Sequence, residues 1–196
     1  QALQFQDKLP SGQAGAERRI VRLKNPGLYS ETITNTMSVA VQLLMPGEIA
    51  RPHRHTPVAF RFFLEGDAYM TVEGEKHEAH PGDMVLTPLM QWHDHGNEGS
   101  EPAIWIDGLD FPLVRFLDGL VKEDIETPQA TNHSGTTARR FTAAGLRPSA
   151  VAPEDVERSS LIHYRWDVTE AALTAMAEAG DASPTDDIIF EYVNPA

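Results

Sequence analysis

The sequence predicts an all-β fold, a sandwich or barrel with a few short helices toward its C-terminal end. Two observations predict it. Short apolar runs follow one another between residues 38 and 106, each closed by turn residues. Beyond Pro112 the pattern changes to helical spacing and irregular stretches.

The elements run as follows. Residues 1–17 are polar and Gly/Ala-rich and read as an extended arm. Arg18 to Leu23 reads as a strand ended by Asn25-Pro26-Gly27. Ser38–Leu44 is a strand ended by Pro46-Gly47, and Ala59–Leu64 is one ended by Glu65-Gly66-Asp67. Ala68–Val72, Met84–Thr87, Gln91–His95 and Ala103–Ile106 follow. Leu113–Leu120 places Leu113, Phe116, Leu117 and Leu120 on one helical face. Residues 126–160 read as irregular. Thr169–Ala179 is a helix closed by Gly180, and Ile188–Val193 is a last strand. The expected organisation is an arm and edge strand over 1–36, a barrel core over 37–112, and a helical and irregular region over 113–196.

Composition excludes several functions. The 196 residues carry 16 Lys plus Arg against 29 Asp plus Glu, a formal charge of -13. A nucleic-acid partner needs a basic footprint, and this chain has the opposite sign. No apolar run approaches the ~20 residues that span a bilayer, and mean hydropathy is -0.34. No secretory signal pattern is present, so a cytoplasmic location is expected. Without cysteine there is no disulfide, thiolate ligand or cysteine nucleophile. Eight histidines in an acidic chain remain conspicuous.

Four of them form two His-x-His pairs: His53 and His55 after Pro46-Gly47, and His93 and His95 after Gln91-Trp92. Side chains alternate along a strand, so each pair projects from one face, which suits a divalent metal. Parity alone leaves both His93 and His95 open as the third ligand. His77 and His80 read as surface residues beside Pro81-Gly82, and His133 and His163 show no partner pattern.

The two segments resemble the two motifs of the cupin superfamily. Gly47, His53, His55 and Gly66 match the first; Gly82, Pro88, His93 and Asn97 match the second at its spacing. The resemblance implies a double-stranded β-helix, or jelly-roll barrel, with His53, His55 and His93 on the metal and His95 behind them. There are two departures. The glutamate of the first motif falls at Ala59, or at Phe60 with a one-residue slip, and the glycine of the second falls at Met90. A cupin without that glutamate holds its ion through three neutral histidines. The full 2+ charge then suits an anionic bidentate substrate and a further small ligand.

A narrower resemblance covers most of the chain. Asn25-Pro26-Gly27-Leu28, Ala59-Phe60-Arg61-Phe62, Trp105-Ile106-Asp107-Gly108-Leu109-Asp110 and Tyr192-Val193-Asn194-Pro195 are similar to strings of the gentisate 1,2-dioxygenase family. That family includes salicylate and 1-hydroxy-2-naphthoate dioxygenases. The resemblance implies an Fe(II)-dependent dioxygenase. It would use O2 to cleave a small aromatic acid between its carboxyl- and hydroxyl-bearing carbons, gentisate to maleylpyruvate foremost. Fe(II) has a reachable one-electron oxidation that Zn(II) lacks. Family members are bicupins, roughly twice this length and commonly homo-tetramers. The chain is therefore expected to be the metal-bearing half of one, or a one-cupin relative.

The same resemblance assigns further roles. Arg61 would reach the substrate carboxylate, as the bidentate partner for such groups. Its parity with His55 agrees if no bulge intervenes. Arg18 would sit near the far side of the ring, and Gln42, a polar residue in an apolar strand, beside the substrate. His95 would donate to bound substrate or oxygen. Trp105 would wall the ring, and Asp107 would orient a histidine or arginine. Phe60, Phe62, Leu43 and Met90 are available as walls. The plainer readings are surface ion pairs for the arginines and core packing for the rest. The competing functions are another metal-dependent cupin enzyme, such as an isomerase or decarboxylase, and a non-enzymatic cupin that binds small ligands. Ala59 argues against the first, and three intact ligand histidines against the second.

Overall fold

The computed structural model describes residues 19–30, 32–131, 133–134, 161–180, 185 and 187–192. Twelve strands among them form two six-stranded sheets. The first has the order β1-β2-β9-β4-β7-β12, from β1 (Arg19–Arg22), β2 (Ser38–Leu44), β9 (Ala103–Leu109), β4 (Ala59–Glu65), β7 (Met84–Thr87) and β12 (His163–Tyr164). The second has the order β10-β3-β8-β5-β6-β11. Its strands are β10 (Lys122–Asp124), β3 (Ile49–His55), β8 (His93–Gly96), β5 (Ala68–Val72), β6 (Glu75–Ala79) and β11 (His133–Ser134). All pairings are antiparallel except β11 with β6.

The apolar positions explain the layering. Leu44, Phe63, Met70, Ala79, Val85, Ala103 and Trp105 come from both sheets and form one buried cluster between them. Each sheet therefore buries one face of its alternating pattern. The turns follow the predicted punctuation. Gly66 has φ +68, and a Cβ there would lie 2.1 Å from the Pro102 carbonyl oxygen, so only glycine fits. Asn97 closes a neighbouring turn. Its amide donates to the carbonyls of Leu44 and Glu101, and its oxygen accepts from the Gly99 amide.

Two helices stand outside the sheets. Helix α1 spans Phe111–Phe116, shorter than the expected 113–120, because Asp118 adopts φ +55 and breaks the spiral. Helix α2 spans Trp166–Ala179 and ends at Gly180, whose φ of +76 makes the left-handed cap that glycine provides. The expected strand at Ile188–Val193 is not found over the described residues 188–192. Tyr192 instead meets the Tyr164 ring edge-on at 5.0 Å, and its hydroxyl bonds Thr169 of α2. β-propensity yields here to side-chain packing. Strands β6, β10, β11 and β12 were not expected: β10, β11 and β12 are only two or three residues long, and three of the five residues of β6 are charged.

Candidate metal centre

Strand β3 has a local irregularity that builds the site. Its pairing with β8 runs Ile49 opposite Gly96 and Ala50 opposite His95, then shifts by one so that His53 lies opposite His93. The extra residue falls at Arg51-Pro52. Proline has no N–H to donate, so a ladder gap there leaves no orphaned donor. Beyond the bulge, His53 and His55 both turn inward and Arg54 outward. On β8, His93 and His95 are inward and fully buried.

His53, His55 and His93 are brought together, with one potential ligand atom from each lying within 4.8 Å of the others. Each ring is fixed from behind by a backbone carbonyl two residues away. The Nδ1–H of His53 donates to Arg51 O at 2.9 Å, that of His55 to Pro57 O at 2.7 Å, and that of His93 to Gln91 O at 2.8 Å. A carbonyl only accepts, so Nδ1 must carry the proton in all three rings. The Nε2 lone pairs are left to face one another. The His93 Nε2 is buried and has no hydrogen-bond partner among the described residues. Burial, then the nearby His53 and the Arg61 guanidinium, hold His93 well below the usual imidazole range. Neutral rings with converging lone pairs, each oriented by a carbonyl, are the donor set a divalent cation requires. Ala59 is buried in β4 and offers no carboxylate.

His95 lies behind this trio, 5.6 Å from His93 and 6.0 Å from Trp105 between ring centres. Met90, where the motif has glycine, adopts φ +57. Its amide donates to the His55 carbonyl at 2.9 Å and ties the approach to β8 to the end of β3. The backbone keeps the left-handed turn, and methionine bears the strain.

The other sheet supplies the facing wall. Along β9, Trp105 lies opposite Gln42 on β2 and Phe63 on β4, and Asp107 lies opposite Arg61 on β4. Arg61 is buried and its Nε pairs with Asp107 Oδ1 at 2.8 Å, while its Nη1 donates to Thr87 Oγ1. Asp107 thus orients an arginine. Arg61 faces inward by the alternation of β4 itself; the turn at residues 56–58 separates it from His55, so parity between the two does not carry across. Gln42 is fully buried, and neither amide atom has a hydrogen-bond partner among the described residues. An orphaned amide of this kind marks a place for a further polar group. Trp105 sits in the core cluster against Phe63 at 5.4 Å, with its Nε1–H unpartnered among the described residues.

Not all expected residues lie here. Arg18 falls outside the described residues. Phe60 and Phe62 alternate with Arg61 and face away from the interior; the Phe60 ring covers Gly108. Nor is His77 a surface residue. It is only 2% exposed, and its ring meets that of His163 edge-on at 5.8 Å. His163 Nε2 in turn lies 2.9 Å from Asp83 Oδ2. The alternation of Lys76 and Glu78 outward with His77 and Ala79 inward is the signal that locates His77. His80 is exposed, as expected, and pairs with Asp67.

Comparison with known proteins points to the same fold. The profile of the Cupin domain matches residues 40–109. Gentisate 1,2-dioxygenase of Ralstonia sp. is 41% identical over 183 residues, which are 92% of this chain and 50% of the relative. 5-Aminosalicylate 1,2-dioxygenase of Comamonas sp. is 36% identical over 93% of this chain and 50% of its own length. The crystal structure of salicylate 1,2-dioxygenase from Pseudaminobacter salicylatoxidans superposes with a TM-score of 0.82 at 33% identity, covering 99% of this chain and 57% of that one. The chain thus spans about half the length of the curated relatives it matches.

Proposed function

We propose that this chain, which matches the cupin-domain profile over residues 40–109 and gentisate and salicylate 1,2-dioxygenases over about half of their length, is the metal-bearing half of an Fe(II)-dependent, ring-cleaving dioxygenase. Its substrate is a hydroxylated aromatic acid, gentisate foremost. The observation that carries the reading is the trio of Nε2 lone pairs of His53, His55 and His93, each fixed by a backbone carbonyl. These three residues would hold the iron, and His95 stands beside them as a proton donor or acceptor. Held there, Fe(II) would supply a centre with a reachable one-electron oxidation.

The chain's own residues do the rest. With no carboxylate at Ala59, the ligand set stays neutral and leaves positive charge for an anion. Arg61 offers a guanidinium to the substrate carboxylate, and Asp107 and Thr87 fix its plane in advance. The Gln42 amide can accept from a substrate hydroxyl or donate to an oxygen. Trp105 and Phe63 form an apolar wall beside His95 that excludes water from that side. Arg18 remains a candidate for the far side of the ring. The exposed Phe116 and Leu117 support assembly into the homo-oligomer that the family resemblance implies, a tetramer.

The test loads the protein with Fe(II) under air and offers gentisate, salicylate and 1-hydroxy-2-naphthoate in turn while oxygen uptake is followed. Uptake with at least one acid, abolished in His53→Ala, is expected. Iron-loaded protein that consumes no oxygen with any of them would overturn the reading.

A further inference from the structure

The two strands that carry the histidines are held from outside by one segment of chain. Strand β10 lies at one edge of the second sheet and β11 at the other, and His133 follows Asp124 by nine residues. Crossing the five gaps of a six-stranded sheet takes roughly 24 Å at ~4.8 Å per gap. Nine residues reach about 30 Å when nearly extended. The connection has little slack.

Its contacts fall on the residues between the histidines. Glu123 Oε2 accepts from Arg54 Nε at 2.9 Å and from Arg54 Nη2 at 2.6 Å, and the Arg54 guanidinium covers the Trp92 ring. The Ile125 amide donates to the carbonyl of Pro52, inside the bulge. Glu126 pairs with Arg51. Gln129 then reaches β8 and β5 at once. Its Nε2 donates to Asp94 Oδ2 at 3.1 Å and to the Thr71 carbonyl at 3.2 Å, and its Oε1 accepts from the Gly74 amide at 3.0 Å.

Asp94 lies between His93 and His95 and pairs with Thr71 across the ladder. Their inward neighbours, His95 and Met70, line the interior, so Asp94 and Thr71 face out. They are nevertheless 5% and 3% exposed. An outward polar pair is buried only where something covers it, and here Gln129 bonds both residues.

We infer that residues 122–129 are a positioning strap for the metal centre: Glu123 and Gln129 grip the middle residues of the two His-x-His pairs, Arg54 and Asp94, and so set the separation and tilt of the three ligand rings. Gln129 is the principal positioning residue. The two ion pairs are exposed and contribute little on their own, whereas Gln129 bridges two strands over groups that it buries. The inference rests on the metal reading of the trio.

Cobalt(II) titration of the whole protein tests it, with affinity taken from chelator competition and ligand geometry from the visible spectrum. In Gln129→Ala we expect about tenfold or greater loss of affinity, the range seen when a ligand's supporting shell is removed, together with a changed cobalt spectrum. Gln129→Glu keeps the size, sets a carboxylate against Asp94, and is expected to behave alike if the truncation fails to fold. A loss of thermal stability with cobalt affinity and spectrum as in the wild type would overturn the strap and leave the metal reading standing. A wild-type protein that binds no cobalt would overturn both.

Discussion

The barrel holds two histidine clusters, and they solve opposite problems. In the trio of His53, His55 and His93, every Nδ1–H is spent on a backbone carbonyl and the Nε2 lone pairs converge on one another. In the second group His163 turns its Nε2 to Asp83 Oδ2, and His77 packs its ring edge-on against His163. Burial alone would raise Asp83, but hydrogen bonds from His163 and from the amides of Trp166 and His80 outweigh it and hold the carboxyl below its usual range. That carboxylate ties β12 and the start of α2 to β7. The first cluster is organised for something absent from the chain; the second is organised to hold the chain together. Identical side chains acquire different tasks from what their second nitrogen meets.

Three substitutions sharpen this contrast. The largest effect is expected from Asp83→Ala. It leaves His163 and two backbone amides without their acceptor and should cost about 3–5 kcal/mol in denaturant unfolding, with metal affinity retained. Loss of metal binding in the folded variant would show that the clusters are not separate.

The next concerns acid. Burial, opposed by the Glu75 carboxylate and assisted by His163, pushes His77 down to about 4. A group whose folded value is depressed from about 6.5 binds protons first in the unfolded chain. Its stabilisation is therefore full above pH ~6.5 and falls away between ~6.5 and 4, by about 3 kcal/mol in all. In His77→Leu, which removes two buried nitrogens with no hydrogen bond among the described residues, the unfolding midpoint should flatten across that window. An unchanged slope would remove His77 as its source.

The smallest effect is at Met90→Gly. Relief of the left-handed strain, ~1–2 kcal/mol, is offset by the added freedom of glycine in the unfolded chain, ~0.5–1 kcal/mol. A gain of about 0.5 kcal/mol in thermal unfolding is the net expectation.

Much of this was legible in the chain. The interior strands β2, β5 and β7 announce themselves by β-branched and apolar runs between turn residues, and the His-x-His spacing locates the site. What stayed hidden depends on partners far along the sequence. The bulge at Arg51-Pro52 is visible only in the pairing of β3 with β8. The burial of His77 is masked by its charged neighbours Lys76 and Glu78, which face outward on the same strand. Gln129 lies in a stretch with no periodicity, and its importance comes from what it bridges. The strand expected near Ile188 shows the reverse failure, a strong local preference with no sheet edge to join.

The central claim is that His53, His55 and His93, and not His95, form a site for one metal ion. The most direct test is anaerobic Fe(II) binding, measured as metal per chain, in the wild type, His93→Ala and His95→Ala. One iron per chain is expected in the wild type and in His95→Ala, with affinity in His93→Ala reduced on the order of 10²–10³-fold, one ligand's share of a typical site. Undiminished binding in His93→Ala, or equal loss in His95→Ala, would contradict the account.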